Sequence, residues 1–531
     1  MGPAFQRYWW RDGDSLLRVY AWAAMLLASL LNFLNHNQYP AWRAEVTLAA
    51  LAMVALGLAL GVVHRLAMPR LSFLFTALLA ALAVDLNGDR LWLVPAAFGA
   101  TLVVAFFADR AAVKLIAAAF TGVLVFQLAG LHGDRPDRPA FARKAAPDPA
   151  AGPPIVHLIL DGYMGLGGMA ADPAAFGALR DANTAFFRRH GFRLYGNAYS
   201  EHRNTTNSLP HILSFGQAAP ATTPQRLQHS VPGPLAYFGL LRRASYKTYV
   251  LQTDYIDLCA RQGVAGCSTY PRSDLATMDA VAMPTSAKAE TILSSLASLA
   301  VLPTLLDSAT LDVRSSLAGE AVPPLEQRAK LFPIASMAAM DRLTASLAGA
   351  RRGEAYVAHL LLPHDPYLYD AACKVKPRSA WTFEEAEGDR VRRDADYAAQ
   401  SRCLLTRLDA MLAVLAKSPD GRDAIVILHG DHGSRIVDIV PELGQPGEPS
   451  PRDYAMTYST LFAVRGPGVA PGEDGSAAPV ASLLGAFAAF GFAATPDPAG
   501  AADAERHVLL TDDRWTPRRK VPLPAFERPA L

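Results

Sequence analysis

The N-terminal part of the chain carries long apolar runs that contain no Asp, Glu, Lys or Arg. Only a segment that satisfies its own backbone hydrogen bonds can cross a bilayer, so runs of this kind restrict residues 1–132 to helices. About five of them approach the length of a membrane-spanning helix. They are Val19–Leu34, Val46–Val63, Leu71–Val84, Leu91–Ala108 and Leu115–Leu131. The third run is short and ends at Asp85, so it is either a span or a re-entrant segment.

Basic residues in the short loops predict the orientation, because Lys and Arg favour the cytoplasmic side. They are concentrated at the N-terminus and in the second and fourth loops, which hold Arg7, Arg11, Arg18, Arg65, Arg70, Arg110 and Lys114. The first and third loops hold only Arg43 and Arg90. The N-terminus is therefore expected inside, and an odd number of spans places the C-terminal part outside. If the third run does not span, this parity reverses.

The four cysteines all lie beyond residue 250, outside the apolar part. An even number confined to one domain is typical of an oxidising compartment, which agrees with an external domain. Cys259 and Cys267 are close enough for a local loop, and Cys373 and Cys403 could form a second bridge. Four cysteines allow three pairings. The alternative is four buried free thiols.

Composition narrows the class of protein further. Hydrophobic residues make up 51% of the 531-residue chain and charged residues 18%, which favours a membrane part. A net charge of +2 gives no case for a nucleic-acid partner. Residues 134–154 are rich in proline and charge without periodicity, as linkers are. We therefore predict a membrane domain at 1–132, a linker at 133–154 and an external domain at 155–531.

From Ile155 onward, short apolar strands alternate with amphipathic helices. This alternation predicts an α/β domain with a mostly parallel sheet covered by helices on both faces. The predicted helices are Ala174–His190, with Gly191 at its C-terminal cap, and Asp394–Lys417. The predicted strands are Ile155–Leu160, Thr248–Leu251, Ala355–Leu362, Asp423–Leu428, Thr460–Val464 and His507–Leu510.

Polar residues follow three of these strands directly. Asp161 follows the first, His364 the third, and the pair Asp431-His432 stands between two glycines after the fourth. Open α/β sheets bind ligands at the carboxyl ends of their strands, so these side chains are expected to meet. A fourth polar segment runs from His202 to Pro210 and contains Thr205.

Carboxylate and imidazole ligands in this combination suit zinc, which we favour, or manganese. We predict a divalent metal held by Asp161, Asp431, His432 and Thr205. A hydroxyl is a weak nucleophile until a metal or base activates it, so Thr205 would be the nucleophile, with Thr206 as its rival.

Other residues have candidate roles toward the substrate. His364 could bind the substrate, bind a second ion or protonate a leaving alcohol, and Arg203, Asn207 and Arg435 are candidates for binding it. Simpler roles compete with these assignments. Asp161 could be a turn residue, Thr205 a helix cap and His364 a hydrogen-bond donor to other residues.

The four motifs together resemble the alkaline phosphatase superfamily, and their order and spacing are most similar to its sulfatase-like branch. Thr205-Thr206-Asn207-Ser208-Leu209-Pro210 is similar to the nucleophile motif of lipid A phosphoethanolamine transferases. Lipoteichoic acid synthases, which transfer phosphoglycerol, have a related Thr-x-x-Ser. Both groups place about five membrane spans before an external catalytic domain. The motifs cover roughly residues 155–470, and the N-terminal part is similar only in architecture.

The chain departs from these relatives at several positions. Asp161 stands where the transferases usually have Glu, as it does in alkaline phosphatases and phosphodiesterases. Sulfatases need Cys or Ser in a Cys/Ser-x-Pro-x-Arg motif, and no cysteine lies near Thr205. The segment Tyr356–Tyr367 also resembles a group of uncharacterised membrane sulfatase-like proteins.

The resemblance implies an enzyme of a bacterial-type inner membrane. It would transfer a phospho group from a phospholipid donor to an envelope glycan or lipid through a threonine nucleophile. One alternative is a phosphate or sulfate ester hydrolase of the same fold. A second is a non-catalytic membrane scaffold with a relict fold, which missing ligands would have favoured.

Overall fold

The computed structural model describes residues 13–67, 71–88, 92–129, 140–141, 152–217, 230–318, 323–384, 390–497 and 506–526. The chain divides into two compact units, one of Met1–Pro136 with Leu275–Lys330 and one of Asp137–Asp274 with Leu331–Leu531. Most of the predicted linker at 133–154 lies outside the described residues, as do Arg7, Arg11, Arg70 and Arg90 of the orientation argument.

Four helices form the N-terminal part of the first unit: α1 (Gly13–His36), α2 (Ala44–Leu66), α3 (Ser72–Asn87) and α4 (Leu93–Ala129). Over the described residues, α1, α2 and α4 are long and apolar enough to cross a membrane, and α3 is apolar but shorter. The predicted fourth and fifth runs correspond to the two parts of α4. Two helices meet there at a kink at Ala108, whose backbone is non-helical (φ −145°, ψ 47°), where the fourth predicted run ends. No Gly or Pro follows the break, so the helix resumes at once.

A buried polar network joins α1, α3 and the break in α4. The Arg18 guanidinium lies 2.6 Å from Oδ2 of Asp109, just beyond Ala108. The hydroxyls of Ser72 and Thr76 donate to the same carboxylate at 2.7 and 2.5 Å. Charged groups in an apolar helical unit need this kind of pairing to offset their lost hydration. Arg18 and Asp109, which flank the first and fourth predicted apolar runs, are therefore paired between helices.

The remaining elements in chain order begin with the strands β1 (Ile155–Leu160), β2 (Arg193–Tyr199), β3 (Lys247–Thr253), β4 (Gly266–Tyr270), β5 (Glu354–Leu360), β6 (Ile425–Gly430), β7 (Phe462–Arg465), β8 (Gly472–Pro479), β9 (His507–Thr511) and β10 (Pro517–Pro522). The helices are α5 (Leu166–Ala170), α6 (Pro173–Arg189), α7 (Thr205–Leu213), α8 (Ala236–Arg243), α9 (Thr285–Ser298), α10 (Val301–Ala318), α11 (Leu325–Arg328), α12 (Phe332–Leu347), α13 (Arg390–Leu415), α14 (Pro451–Tyr458) and α15 (Val480–Ala489).

The segment Leu275–Lys330, called the excursion here, belongs to the first unit although the sequence analysis assigned it to the external domain. It contains α9, α10 and α11. The carboxylate of Asp85, in the last turn of α3, accepts hydrogen bonds from the backbone N–H groups of Val301 and Leu302 at 2.9 and 2.7 Å. Arg43, immediately before α2, pairs with Asp279 at 2.7 Å.

The second unit is built on an eight-stranded sheet with the order β4-β3-β5-β1-β6-β7-β2-β8. All pairs are parallel except the two made by β7. The central strands β1, β5 and β6 are buried along their whole length, as strands covered on both faces should be. Both parts of the predicted fold class are confirmed: an N-terminal helical part, and an α/β domain with a mostly parallel sheet and helices.

Candidate active site

The first candidate ligand, Asp161, lies at the end of β1. Gly162 follows it with φ +71°, a left-handed conformation that glycine adopts without steric cost. This turn directs the N–H of Gly162 to Oδ1 of Asp431, 3.0 Å away. The turn after β1 therefore orients Asp431, the candidate ligand that follows β6.

Asp431 and His432 follow β6, the parallel neighbour of β1. In the register of the two strands Leu160 is opposite Gly430, so Asp161 and Asp431 occupy equivalent places on adjacent strands. Oδ1 of Asp431 accepts hydrogen bonds from Gly162 and from the N–H of His432, at 3.0 and 2.9 Å. Its other oxygen, Oδ2, is left to face the third segment.

The third segment begins α7 with Thr205, which is buried with 3% of its surface exposed. Its hydroxyl oxygen lies 2.7 Å from Oδ2 of Asp431, 3.2 Å from Oδ2 of Asp161 and 3.5 Å from Nε2 of His432. The first turn of a helix presents free N–H groups and the positive end of its dipole, which favour an anion there. The four predicted metal-site residues are thus brought together.

The backbone fixes the tautomer of His432. Its Nδ1 lies 2.7 Å from the carbonyl oxygen of Gly433, and a carbonyl can only accept, so Nδ1 carries the proton. In the neutral imidazole the lone pair of Nε2 then points at Asp431 and Asp161, whose oxygens lie 3.4 and 3.6 Å away. A metal-binding histidine usually donates the N–H of its other ring nitrogen to a hydrogen-bond acceptor such as a backbone carbonyl, which fixes the orientation of the ring.

The chemistry of these donors fits a divalent cation. One ligand atom each from Asp161, Asp431 and His432 lies within 4.8 Å of the others, and all three residues are buried. Oδ1 of Asp161 is buried and receives no hydrogen bond from the described residues. Burial would raise the pKa of Asp161, but the imidazoles of His364, His359 and His432 outweigh it and hold the pKa below its usual range. Ionised, buried and converging oxygens are stabilised by a positive ion.

A second buried group lies beside this cluster and contains His364, Asp365 and Glu384. Nδ1 of His364 lies 2.7 Å from Oδ1 of Asp365. Burial would lower the pKa of His364, but the charges of Glu384, Asp365 and Asp161 raise it to about 10. Tyr367 donates to Glu384 at 3.2 Å. This raised pKa favours the protonated form of His364, the form that a proton donor to a leaving oxygen has to have.

The three candidate substrate-binding residues have different environments. Arg435 is half-buried, lies 3.9 Å from Glu384 and stacks over the ring of Trp515 at 6.0 Å. Burial would lower its pKa, but the charges of Glu384 and Asp161 raise it, so the guanidinium is an ionised group beside the cluster. Arg203 instead forms a buried ion pair with Glu442. The amide of Asn207 donates to the carbonyl of Trp515 at 2.7 Å.

Two residues of the site were not anticipated from the sequence. His359, on β5, is fully buried with Nε2 3.5 Å from Oδ2 of Asp161. It lies inside a predicted strand, and alternation along the strand does not reveal that one side chain reaches the neighbouring strand end. Glu384 lies in a loop with no local motif. The segment Tyr356–Tyr367 contained the only signal for His359, a second histidine five positions before His364.

Both candidate cysteine pairs are joined. Cys259 is bonded to Cys267 on β4, and Cys373 is bonded to Cys403 on α13. The structure thus selects one of the three pairings that the sequence allowed. Two disulfides in one domain are typical of proteins that fold in an oxidising compartment.

Comparison with solved structures finds three representative likenesses. The C-terminal periplasmic domain of EcEptC from Escherichia coli, in complex with Zn, is 11% identical; the alignment covers 70% of this chain and 93% of that one, with a TM-score of 0.40. The phosphonate monoester hydrolase of Agrobacterium radiobacter is 12% identical, with 67% and 80% covered and a TM-score of 0.41. A Bacteroides thetaiotaomicron sulfatase concerned with the metabolism of multiple glycosaminoglycans is 12% identical, with 70% and 83% covered and a TM-score of 0.41.

No protein-family model and no curated protein matches the sequence. At such identities and TM-scores the likenesses carry no argument about reaction or substrate, which has to come from the site itself.

Proposed function

We propose that the chain is a metal-dependent phospho-group transferase that uses Thr205 as its nucleophile. One observation carries the proposal: the buried hydroxyl of Thr205 lies within 3.5 Å of Asp161, Asp431 and His432, three groups that suit a divalent ion. A helix cap would not need two ionised carboxylates and an imidazole lone pair around its hydroxyl. A hydroxyl in this position is placed to lose its proton and attack.

In the first half-reaction, Oγ1 of Thr205 forms a bond to the phosphorus of a phosphodiester while the bond from phosphorus to the leaving oxygen breaks. The Thr205 proton passes to the nearby carboxylate of Asp431, 2.7 Å away. Protonated His364 gives its proton to the leaving alkoxide. The product is a phosphorylated Thr205 and a free alcohol.

In the second half-reaction, an acceptor hydroxyl loses its proton to His364 and bonds to phosphorus. The bond to Oγ1 breaks, and Thr205 recovers its proton from Asp431. Zinc or manganese, held by Asp161, Thr205, Asp431 and His432, would supply polarisation of the phosphoryl oxygens. The Arg435 guanidinium is placed to neutralise one of those oxygens.

We further propose that the donor is a phospholipid and the acceptor an envelope glycan or lipid, in a bacterial-type inner membrane. Three helices with the length and composition of membrane spans support this setting. The two disulfides and the bias of basic residues support an external position for the second unit.

The test is the intact mass of the full-length protein, in detergent with mixed phospholipids and Zn²⁺ or Mn²⁺. We expect a mass gain equal to one phosphoethanolamine or phosphoglycerol group, absent in Thr205→Ala and retained in Thr206→Ala. No adduct, together with bound metal and turnover of simple phosphate or sulfate esters, would point to a hydrolase of the same fold. No adduct and no bound metal would contradict catalysis and favour the scaffold.

A further inference from the structure

The helix α10 in the excursion carries a row of exposed apolar side chains. Leu306, Val313 and Leu317 have 67%, 61% and 83% of their surface exposed. Their spacing of seven and four residues places them on one face of a helix. Leu305, beside this row, is 60% exposed. We call these four residues the apolar stripe. Three or more large aliphatic side chains in a row on a helix mark an interaction surface.

Other faces of α10 carry charged and polar side chains that have partners of their own. Asp307 pairs with Arg314 at 2.7 Å and with Arg328 of α11 at 2.5 Å. The hydroxyl of Thr310, near the stripe, donates to the carbonyl of Leu306 at 2.8 Å and so needs no water. Ser308, on the opposite side from Leu306, is exposed. The helix is therefore amphipathic, and none of the described residues covers its apolar side.

The attachment of the excursion shows where this stripe lies within the first unit. Asp85 at the end of α3 binds the first N–H groups of α10, and Arg43 at the start of α2 binds Asp279. The end of α3 and the start of α2 form one end of an antiparallel helix pair. The excursion is therefore attached at the end of α3 and the start of α2, which is where a bilayer around these helices would meet water.

We propose that α10 lies along the external surface of the membrane that holds the apolar helices. Its apolar stripe would lie among the acyl chains of phospholipids and its polar side toward water. A helix with an apolar face and charged residues on its other faces binds in the plane of the interface. The charges of Asp307, Asp312 and Arg314 oppose a crossing of the bilayer. Taken together, α9 and α10 have the length and composition of a broken span or a re-entrant pair bent by 108°. The three charges on α10 favour the surface position for that helix.

A second copy of the chain is a poorer occupant. A stable dimer buries about 800 Å² on each partner, far more than a row of four side chains on one helix provides. A lipid surface needs no such area, because α10 is already held to the apolar helices by Asp85. This proposal rests on the membrane character of the first unit and not on the phospho-transfer reaction.

The test is site-directed spin labelling of the full-length protein in nanodiscs of phosphatidylethanolamine and phosphatidylglycerol. Leu306→Cys, Val313→Cys and Leu317→Cys each receive a nitroxide, with Ser308→Cys as the matched control on the same helix. The native cysteines are in disulfides, so the label attaches only at the new position. Collision rates with oxygen, which concentrates in lipid, and with a water-soluble nickel chelate are measured for each label.

We expect a severalfold higher ratio of oxygen to nickel collisions at the three stripe positions than at Ser308→Cys. Equal nickel access at all four positions would overturn the proposal, because the stripe would then face water. Exclusion of both reagents with spin–spin broadening would also overturn it, in favour of a second copy. Each labelled variant is compared with the unlabelled protein by circular dichroism, and Leu305→Cys replaces any position that fails to fold.

Discussion

Thr205 and Thr206 are neighbours in the chain, yet their hydroxyls have different environments. The structure directs Thr205 toward two carboxylates and His432, whereas Thr206 is buried in the first turn of α7 away from those bonds. The sequence analysis preferred Thr205 on motif register alone. The geometry supplies a physical reason for the same preference, since a nucleophile has to sit beside the groups that activate it.

The isosteric change Thr205→Val removes the hydroxyl and keeps the shape. We expect the turnover of a phosphodiester substrate to fall by about 10⁴-fold or more, the scale of losing a covalent nucleophile. Thr206→Val should stay within about tenfold of the native rate. Steady-state rates of the two variants decide this, and equal losses in both would contradict the assignment of Thr205.

Asp161→Asn should lower metal binding. The substitution removes one ionised oxygen while keeping the shape, and the loss of even a supporting residue of a metal site costs about 10- to 100-fold in affinity. Metal content per chain after dialysis, measured by plasma mass spectrometry, is the readout. Asp172→Asn is the control, because Asp172 caps α6 away from the cluster. An unchanged metal content in Asp161→Asn would argue against Asp161 as a ligand.

The sequence located Asp161, Thr205, His364, Asp431 and His432 because each follows or begins a regular element, where local patterns are strongest. The sequence does not reveal which distant residues contact these side chains in the folded protein. Glu384 reaches His364 from a separate loop, and no spacing rule connects the two. Arg203 was predicted to bind substrate because its ion-pair partner Glu442, 239 positions away, could not be recognised from the sequence.

At the scale of elements, the two disulfides are expected to differ in their contribution to stability. The bond Cys373–Cys403 closes 30 positions and Cys259–Cys267 closes 8. Each bond lowers the entropy of the unfolded chain, which stabilises the folded state by about 3.5 and about 2.5 kcal/mol respectively. Replacing both cysteines of each pair by serine should lower the melting temperature more for the longer loop. The reverse order in thermal unfolding of the two double variants would contradict this account.

Asp85 is expected to control the start of α10. It satisfies two backbone N–H groups that the helix itself leaves without partners, and such caps contribute about 1 kcal/mol. Asp85→Ala should speed hydrogen exchange at Val301 and Leu302 by about fivefold, the equivalent of that energy. Asp312→Ala, an acidic residue in the middle of the same helix, is the control. Exchange that is unchanged in Asp85→Ala would show that the cap is dispensable.

Elements with strong periodic patterns were predicted closely. The strand Ile155–Leu160 has the predicted bounds, and the predicted helix Ala174–His190 is α6, followed by Gly191 with φ +68°. The strand β8 was missed because Gly472–Pro479 has the composition of a turn. It pairs on one side only, as the edge of the sheet, where backbone bonds to β2 matter more than side-chain propensity.

At the scale of the whole molecule, stability should depend on pH through His202. Burial, assisted by the neighbouring His211 at 4.9 Å between ring centroids, lowers the pKa of His202 to about 3. The folded state then binds fewer protons than the unfolded state, whose histidine has a pKa near 6.5. Stability is complete above pH 6.5 and falls as pH drops toward 3.

The expected slope from this group is at most about 1.4 kcal/mol per pH unit between those limits. The free energy of unfolding of native protein and of His202→Gln is to be compared at pH 6.5 and 5.5, above the range where most carboxylates titrate. The variant should lose less stability over this interval. Parallel pH curves for the two proteins would show that His202 does not contribute.

The division into units was the least predictable feature, because the excursion interrupts the second unit in sequence and belongs to the first in space. Together α9 and α10 are apolar enough for a broken span, but the bend between them is not visible in the sequence. The contacts of Asp85 and Asp279 decide its place, and each joins residues more than two hundred positions apart.

The separation of the site residues along the chain also has a consequence in time. Thr205 and Asp431 are 226 positions apart, and β6 is the strand that brings Asp431 and His432 to the others. Until the ribosome has made about four fifths of the chain, Thr205 lacks two of its three partners, Asp431 and His432. Activity can begin only after synthesis has passed β6, when the apolar helices have long since emerged. The proposed catalytic site is therefore incomplete while the apolar helices emerge.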